Sequence, residues 1–272
     1  MSITKQRIKN KEITMCLVLF AYQVSKTYPL ILAANRDEFY NRPTAPMHFW
    51  DDHSNVLAGR DLEKGGTWFG VTASGCFAAL TNFRDPFSVN PEALSRGEII
   101  IDFLTAGHSC ERFAEQLVRR ANAYNGYNLL FSDSKTLYWF SSRKQAAEPV
   151  EPGVHGLSNR HLDTAWPKVI DGRKTLSRCL EQGISHDVLF SMLQNKAIPP
   201  DHLLPDTGVG VEWERILAPL FIKSEVYGTR SSTVMTIDSE NRIRVTEKTF
   251  APSDSQAIEE RHFSLPQPGG IS

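Results

Sequence analysis

The chain of 272 residues has few of the features that announce a function. It carries only four cysteines, Cys16, Cys76, Cys110 and Cys179, and no two of them form a C-x-x-C pair. That leaves a zinc knuckle or a thioredoxin-like motif unsupported and is too little for a disulfide scaffold. Reduced thiols in a cytoplasmic compartment are the expectation. No run of about twenty apolar residues is present, so no transmembrane segment is expected. Charge of one sign is also lacking: 30 Lys and Arg against 31 Asp and Glu give a net charge of -1. Without a basic field, nucleic acid is not an expected partner. The eight histidines show no H-x-x-x-H or H-E-x-x-H spacing, so no metal site is expected. Gly65-Gly66 is not followed by G-K-[ST], and no G-x-S-x-G elbow occurs, which removes the P-loop and the α/β-hydrolase signatures.

What is present is a composition able to build a sizeable core: 41% hydrophobic and 10% aromatic, with 22% charged. Lys5, Arg7, Lys9 and Lys11 stand in the first fifteen residues without the apolar stretch that a secretory signal needs. Residues 1–15 therefore read as a disordered extension. From Cys16 to Val24 the chain is apolar and reads as a buried strand, and Tyr28 to Ala34 as its hairpin partner. Asn35 to Arg42 reads as a polar loop closed by Pro43 and Pro46. Thr67–Thr72 and Cys76–Thr81 flank Ala73-Ser74-Gly75 as a second hairpin. The period then changes. Ser95–Thr105 and Ser109–Ala123 carry apolar residues at helical spacing, each opened by a serine with a weak capping signal. Strands return at 128–132, 135–141 and 154–157, helices at 166–180 and 186–195, and a last hairpin at 226–249. The tail after Pro252 reads as loose. The order of strands, helices, strands, helices and strands, with hairpin pairing, argues for antiparallel sheets with helical layers.

Cys16 opens the first strand. A thiol is a good nucleophile once a base is near, and an N-terminal cysteine has one in its own α-amine, pKa about 8. The same residue also fits an ordinary buried core cysteine. Asn35-Arg36-Asp37-Glu38 follows the second apolar strand. There Arg can meet a carboxylate or phosphate and Asp can orient an amine, although a solvated loop would carry the same residues. Asn82 and Asn159 likewise follow apolar strands. A side-chain amide there can donate to an oxyanion, or simply cap a turn.

The blocks Met15-Cys16, LILAANRDEFYNRP, GGTWFGVTASGCFAALTNFRDP, HGLSNRHLDTAWPKV and YGTRSSTVMTID together resemble the NRDE family, also called the transport and Golgi organisation protein 2 family. The likeness runs from Met15 to about Phe250. The family is similar in pattern to Ntn hydrolases of the choloylglycine hydrolase and penicillin acylase type. That resemblance implies an α+β, four-layer αββα sandwich of two mainly antiparallel sheets between helical layers, as one domain over 16–252 with a loose tail over 253–272. It implies Cys16 as nucleophile with Arg36 and Asp37 beside its thiol and amine, and Asn82 and Asn159 as oxyanion or amine-orienting groups. Asn35, Glu38 and Arg230 are the implied substrate contacts. The expected function is an Ntn-type cysteine hydrolase of an amide or thioester bond in a small acyl compound, with no cofactor required. The alternative is a non-catalytic carrier holding acyl-coenzyme A or haem in the same cleft. Fifteen residues precede Cys16. While they are attached, its nitrogen is an amide and cannot act as the base.

Overall fold

A computed structural model describes residues 15–252 and 254–265. The extension expected over 1–15 therefore lies, apart from Met15, outside the described residues. In chain order the strands β1 (Met15–Tyr22), β2 (Leu30–Phe39), β3 (Thr44–Phe49), β4 (Val56–Asp61), β5 (Phe69–Thr72) and β6 (Phe77–Asn82) come first. Two helices follow, α1 (Gly97–Ala106) and α2 (Cys110–Arg120). Next come β7 (Tyr127–Ser132), β8 (Leu137–Ser141), β9 (Ala146–Pro149) and β10 (Gly153–Leu157). After α3 (Pro167–Gln182), α4 (His186–Leu193) and α5 (Val211–Leu217), the described chain ends with β11 (Tyr227–Ile237), β12 (Ile243–Phe250) and β13 (Ala257–Leu265).

These strands form a six-stranded sheet in the order β10-β1-β2-β11-β12-β13 and a seven-stranded sheet in the order β3-β4-β5-β6-β7-β8-β9. Every described strand pairing is antiparallel. Period-two alternation divides the apolar residues between two layers. On β1 and β2, Val18, Phe20, Leu32 and Ala34 face the opposite sheet, where Leu57, Phe69, Phe77 and Leu130 meet them. Leu17, Leu19, Ile31 and Ala33 face the other way, onto Val169 and Leu176 of α3 and Leu189 and Leu193 of α4. The second sheet packs its outer face against Ile100 and Phe103 of α1 and Phe113 and Leu117 of α2. The result is the expected four layers, helix, sheet, sheet, helix. Among the described residues no helix is long and apolar enough to cross a membrane.

Three elements differ from the sequence expectation. The segment read as a polar loop from Asn35 continues β2 as far as Phe39, hydrogen-bonded to β1 on one side and β11 on the other. Central strands tolerate such residues only where partners meet each polar group. The tail read as loose holds β13, which pairs with β12 from Ile243↔Leu265 to Phe250↔Ala257. As an edge strand β13 carries charge on its open face, including Glu260, which meets Lys248 at 3.4 Å. That composition reads as a tail until its partner strand is known. Pro46, expected to close a loop, lies inside β3 at the register shift between Ala45 and His48. An edge strand accepts proline because one side of its ladder is unused.

Of the two serine caps, only Ser109 caps, its hydroxyl accepting from the Arg112 N–H at 3.4 Å. Helix α1 starts after Arg96 with no side-chain cap. Its first residue is glycine because the backbone of the 65–67 turn lies against it: a Cβ on Gly97 would sit 3.0 Å from the Thr67 nitrogen. This close approach brings Arg96 and Gly97 to the rim of the cavity described next.

Candidate active site

The two sheets part at one end around a cavity of about 390 Å³. Its floor is a single row across four neighbouring strands. Cys16 of β1 stands opposite Arg36 of β2, Arg36 opposite Ser231 of β11, and Ser231 opposite Thr249 of β12. All four residues line the cavity, and the second sheet supplies Trp68, Leu80 and Asn82 from across it.

Alternation along β2 separates the polar quartet into two roles. Arg36 and Glu38 share the face of Leu32 and Ala34 and open into the cavity. Asn35 shares the face of Ile31 and Ala33 and points at the helices. Its Nδ2 donates to the carbonyls of Leu193 at 3.0 Å and Leu220 at 2.7 Å, and its Oδ1 accepts from the Ser232 hydroxyl at 2.6 Å. Asn35 is therefore a fully bonded strut between β2 and the α4 layer and does not line the cavity. The expectation that it contacts substrate is corrected by this placement.

Arg36 is nearly buried, and it stands 3.7 Å from Glu38. Its N–H donors face the cavity beside the Cys16 thiol. Glu38 accepts from the Phe39 N–H at 2.8 Å and stands 3.7 Å from Arg42, which in turn pairs with Asp61 at 2.6 Å. Burial pushes the Glu38 carboxyl above its usual range, against the pull of Arg36.

Asp37 is buried, and its Oδ1 accepts from the Thr229 hydroxyl at 2.6 Å. Among the described residues its Oδ2 has no hydrogen-bond partner. Burial raises its carboxyl to about 7, against the lowering effects of Lys168, Thr229 and Arg36. The Cys16 thiol is pushed up to about 12, first by burial and then by the Asp37 charge. Arg36 and a hydrogen bond from the Asp37 N–H offset this in part. With its nitrogen in a peptide bond, Cys16 is a neutral thiol at physiological pH.

Asn82 lines the cavity, but Asn159 does not. The Nδ2 of Asn159 donates to the Asn82 carbonyl at 2.9 Å, and its Oδ1 accepts from the Ser158 hydroxyl at 3.1 Å. Asn159 thus holds the strand end that carries Asn82, and the Ser158 hydroxyl donates to the Cys16 carbonyl at 3.4 Å. Arg230 lies at the register shift between Thr229 and Ser231 and lines the cavity. Its Nη1 donates to the carbonyls of Phe39, Tyr40 and Arg42, the first at 3.1 Å, so it clamps the exit of β2.

Sequence reasoning missed Ser231, Glu247 and Lys168. Period-two alternation carried a signal for Glu247, because the β12 pattern puts it on the core face with Val245. The Met47 N–H donates to Glu247 at 2.6 Å, and the residue lines the cavity. Burial raises its carboxyl to about 7, with the Met47 N–H and Arg36 pulling it down. The folded-state value lies above the 4.5 of a free glutamate side chain. The stability this group contributes is therefore present below pH 4.5 and lost as pH rises through about 7. Glu247→Gln removes that loss. Thermal melts at pH 5 and pH 8 are expected to move in the variant's favour at the higher pH, by on the order of 1–3 kcal/mol. A difference between parent and variant that stays flat across this range contradicts the reading.

Two antiparallel sheets packed face to face and held between helical layers form the fold of the Ntn hydrolases. A conjugated bile acid hydrolase mutant from Clostridium perfringens superposes on 94% of this chain and 95% of its own, with a TM-score of 0.51 at 10% identity. At that identity the likeness is one of fold alone. The chain belongs to the transport and Golgi organisation 2 family, whose model matches residues 15–252. A relative from Mus musculus, "Transport and Golgi organization 2 homolog", is 32% identical over 92% of this chain and 99% of its own length. A relative from Bos taurus, "Transport and Golgi organization protein 2 homolog", is 34% identical over 88% of this chain and 95% of its own.

Proposed function

We propose that the protein is a cysteine hydrolase of the Ntn type, cleaving an amide or thioester bond in a small acyl compound once Cys16 carries a free α-amine. The observation that carries this reading is the pairing at the head of β1. Cys16 stands opposite Arg36, and Met15 stands opposite Asp37, whose buried Oδ2 has no hydrogen-bond partner among the described residues. An α-ammonium at that place would give the carboxylate oxygen a hydrogen-bond donor as well as a charge.

In the mechanism, the Cys16 sulfur attacks the carbonyl carbon while the α-amine takes the thiol proton. The oxyanion meets the side-chain amide of Asn82, held in place by Asn159. The carbon–nitrogen or carbon–sulfur bond of the substrate then breaks, and the ammonium returns its proton to the leaving group. Water, with the amine as base, hydrolyses the remaining thioester on Cys16. Arg36 offers guanidinium donors to an anionic part of the acyl compound.

A second reading is favoured by the thiol itself: burial holds it at about 12 while its nitrogen is an amide, a state able to bind and not to cut. In that state the same cavity would serve a carrier of acyl-coenzyme A or haem. For haem, Cys16 would be the residue to hold the iron, since no histidine is among the described lining residues.

The test compares two chains, one beginning at Cys16 and one retaining a residue before it, on acyl amides and acyl thioesters. The proposal expects hydrolysis from the first chain only. Ligand binding by both chains, with hydrolysis by neither, supports the carrier and defeats the hydrolase.

A further inference from the structure

The cavity reaches well past the cysteine. Its floor crosses from Cys16 on β1 to Thr249 on β12, three strand spacings or about 14 Å. Near the far end stands Glu247, two residues before Thr249 on the same face of β12. It lines the cavity and is buried at 3% exposure. The donors that meet its carboxyl are neutral, the Met47 N–H at 2.6 Å and the Ser231 hydroxyl. The cations whose charge reaches it are held elsewhere. Arg261 pairs with Glu259 at 2.6 Å and donates to the Met47 carbonyl at 2.9 Å, and Arg36 stands by Glu38. Among the described residues Glu247 itself is in no ion pair. Its Oε2 faces β4, where a Cβ on Gly59 would come within 3.8 Å. Gly59 also lines the cavity and, without a side chain, takes none of the space in front of that oxygen. On the same wall the buried Thr249 hydroxyl has no hydrogen-bond partner among the described residues. A buried carboxyl met by neutral donors, beside an unanswered hydroxyl, makes a wall short of a cation.

We infer that the wall formed by Glu247 and Thr249 is a subsite for an ammonium group, so that the acyl compound this cavity takes carries a primary amine remote from the bond at Cys16. An ammonium there donates to the Glu247 Oε2 and to the Thr249 hydroxyl, where a plain aliphatic end offers no donor. It rests on the hydrolase reading only for the bond that is cut; what the wall binds does not depend on cleavage. The charges of the cavity then give the compound one direction, with Arg36 beside the thiol for an anionic part and Glu247 at the far end for the amine. A tie between β12 and β3 through the Met47 N–H would need only a neutral acceptor such as an amide oxygen. The carboxyl instead costs stability above its value of about 7, and a bound ammonium offsets that cost.

The test is calorimetry on the full-length chain, whose blocked Cys16 nitrogen leaves an amide uncut, at about pH 8, where both the Glu247 carboxylate and an aliphatic ammonium are charged. Hexanamide, octanamide and decanamide are compared with the same amides bearing a terminal amine. At the length that fits best, the amine is expected to bind at least about tenfold more tightly than the plain amide. That preference is expected to vanish in Glu247→Gln, which keeps an acceptor for the Met47 N–H. A merely structural Glu247 would move the melting temperature and leave the preference in place. Equal affinity for amine and plain amide at every length, binding of neither, or a preference that survives in folded Glu247→Gln overturns the inference. If that variant does not fold, Thr249→Val gives the second reading: the preference is expected to fall about threefold, and an undiminished one overturns the inference. Nothing is cut in this experiment, so a chain beginning at Cys16 that hydrolyses nothing would defeat the proposed function and leave the amine subsite decided either way. Where hydrolysis is measured, amine-bearing substrates are expected to have the lower KM and to lose that advantage in Glu247→Gln.

Discussion

Cys16→Ala is expected to lower turnover of any acyl substrate the parent hydrolyses by at least about 10³-fold, with the fold retained. The side chain is buried in a strand whose neighbours Leu17, Val18 and Leu19 supply the packing, so loss of one sulfur leaves both sheets intact. No other described cysteine lines the cavity, so none can replace it as nucleophile there. Circular dichroism and melting temperature separate a chemical loss from a structural one. A folded Cys16→Ala protein that hydrolyses as fast as the parent would mean that the cavity works by another residue or not at all.

The second large effect is structural. Arg84→Ala is expected to destabilise the protein by about 3–5 kcal/mol. The variant strands Glu214, a buried carboxylate that loses its 2.5 Å partner and, among the described residues, keeps the Thr207 N–H and hydroxyl as donors. The guanidinium also lies 4.5 Å from the centre of the Trp166 ring, at the start of α3. Its own backbone N–H donates to the Asn159 carbonyl at 2.8 Å. Arg84 thus ties the helix that carries Lys168 to the strand ends that carry Asn82 and Asn159. Urea unfolding of Arg84→Ala, Glu214→Ala and the double variant checks this. The double variant is expected to be more stable than the sum of the two singles allows. A single-variant loss under about 1 kcal/mol would place the pair among the weak ones.

Much of the fold was legible because the apolar periods are clean. Leu17, Leu19, Ile31 and Ala33 alternate with Val18, Phe20, Leu32 and Ala34, and helical spacing holds within each of 97–106, 110–120, 167–182 and 186–193. What failed to show was polarity used for burial. Asn35 to Glu38 looked like a loop because four consecutive polar residues ordinarily seek water. Here Asn35 is matched to backbone carbonyls and Asp37 to Thr229, while Arg36, Asp37 and Glu38 line a cavity. β13 and β3 were hidden for the opposite reason, since edge strands keep the polar residues and the proline that central strands exclude. Of the residues lining the cavity, Cys16, Arg36, Asp37 and Asn82 stood out in the sequence where apolar runs begin or give way to polar residues. Asn35 and Asn159 were read by residue type, which cannot say whether an amide faces a cavity or a carbonyl. Lys168 could have been noticed from its charge in the first turn of α3. Ser231 carried no signal until β11 was laid beside β2.

The central claim is that the Cys16 thiol, with its amine free, is the attacking group. Its most direct test is the mass of the protein after brief reaction with a small acyl thioester, followed by peptide mapping. The expected result is one acyl group, located on Cys16, in the chain that begins there, lost again on longer incubation in water. Neither Cys16→Ala nor the chain retaining residues before Cys16 is expected to carry it. Equal acylation of the extended chain, or an acyl group only on Cys76, Cys110 or Cys179, would contradict the claim.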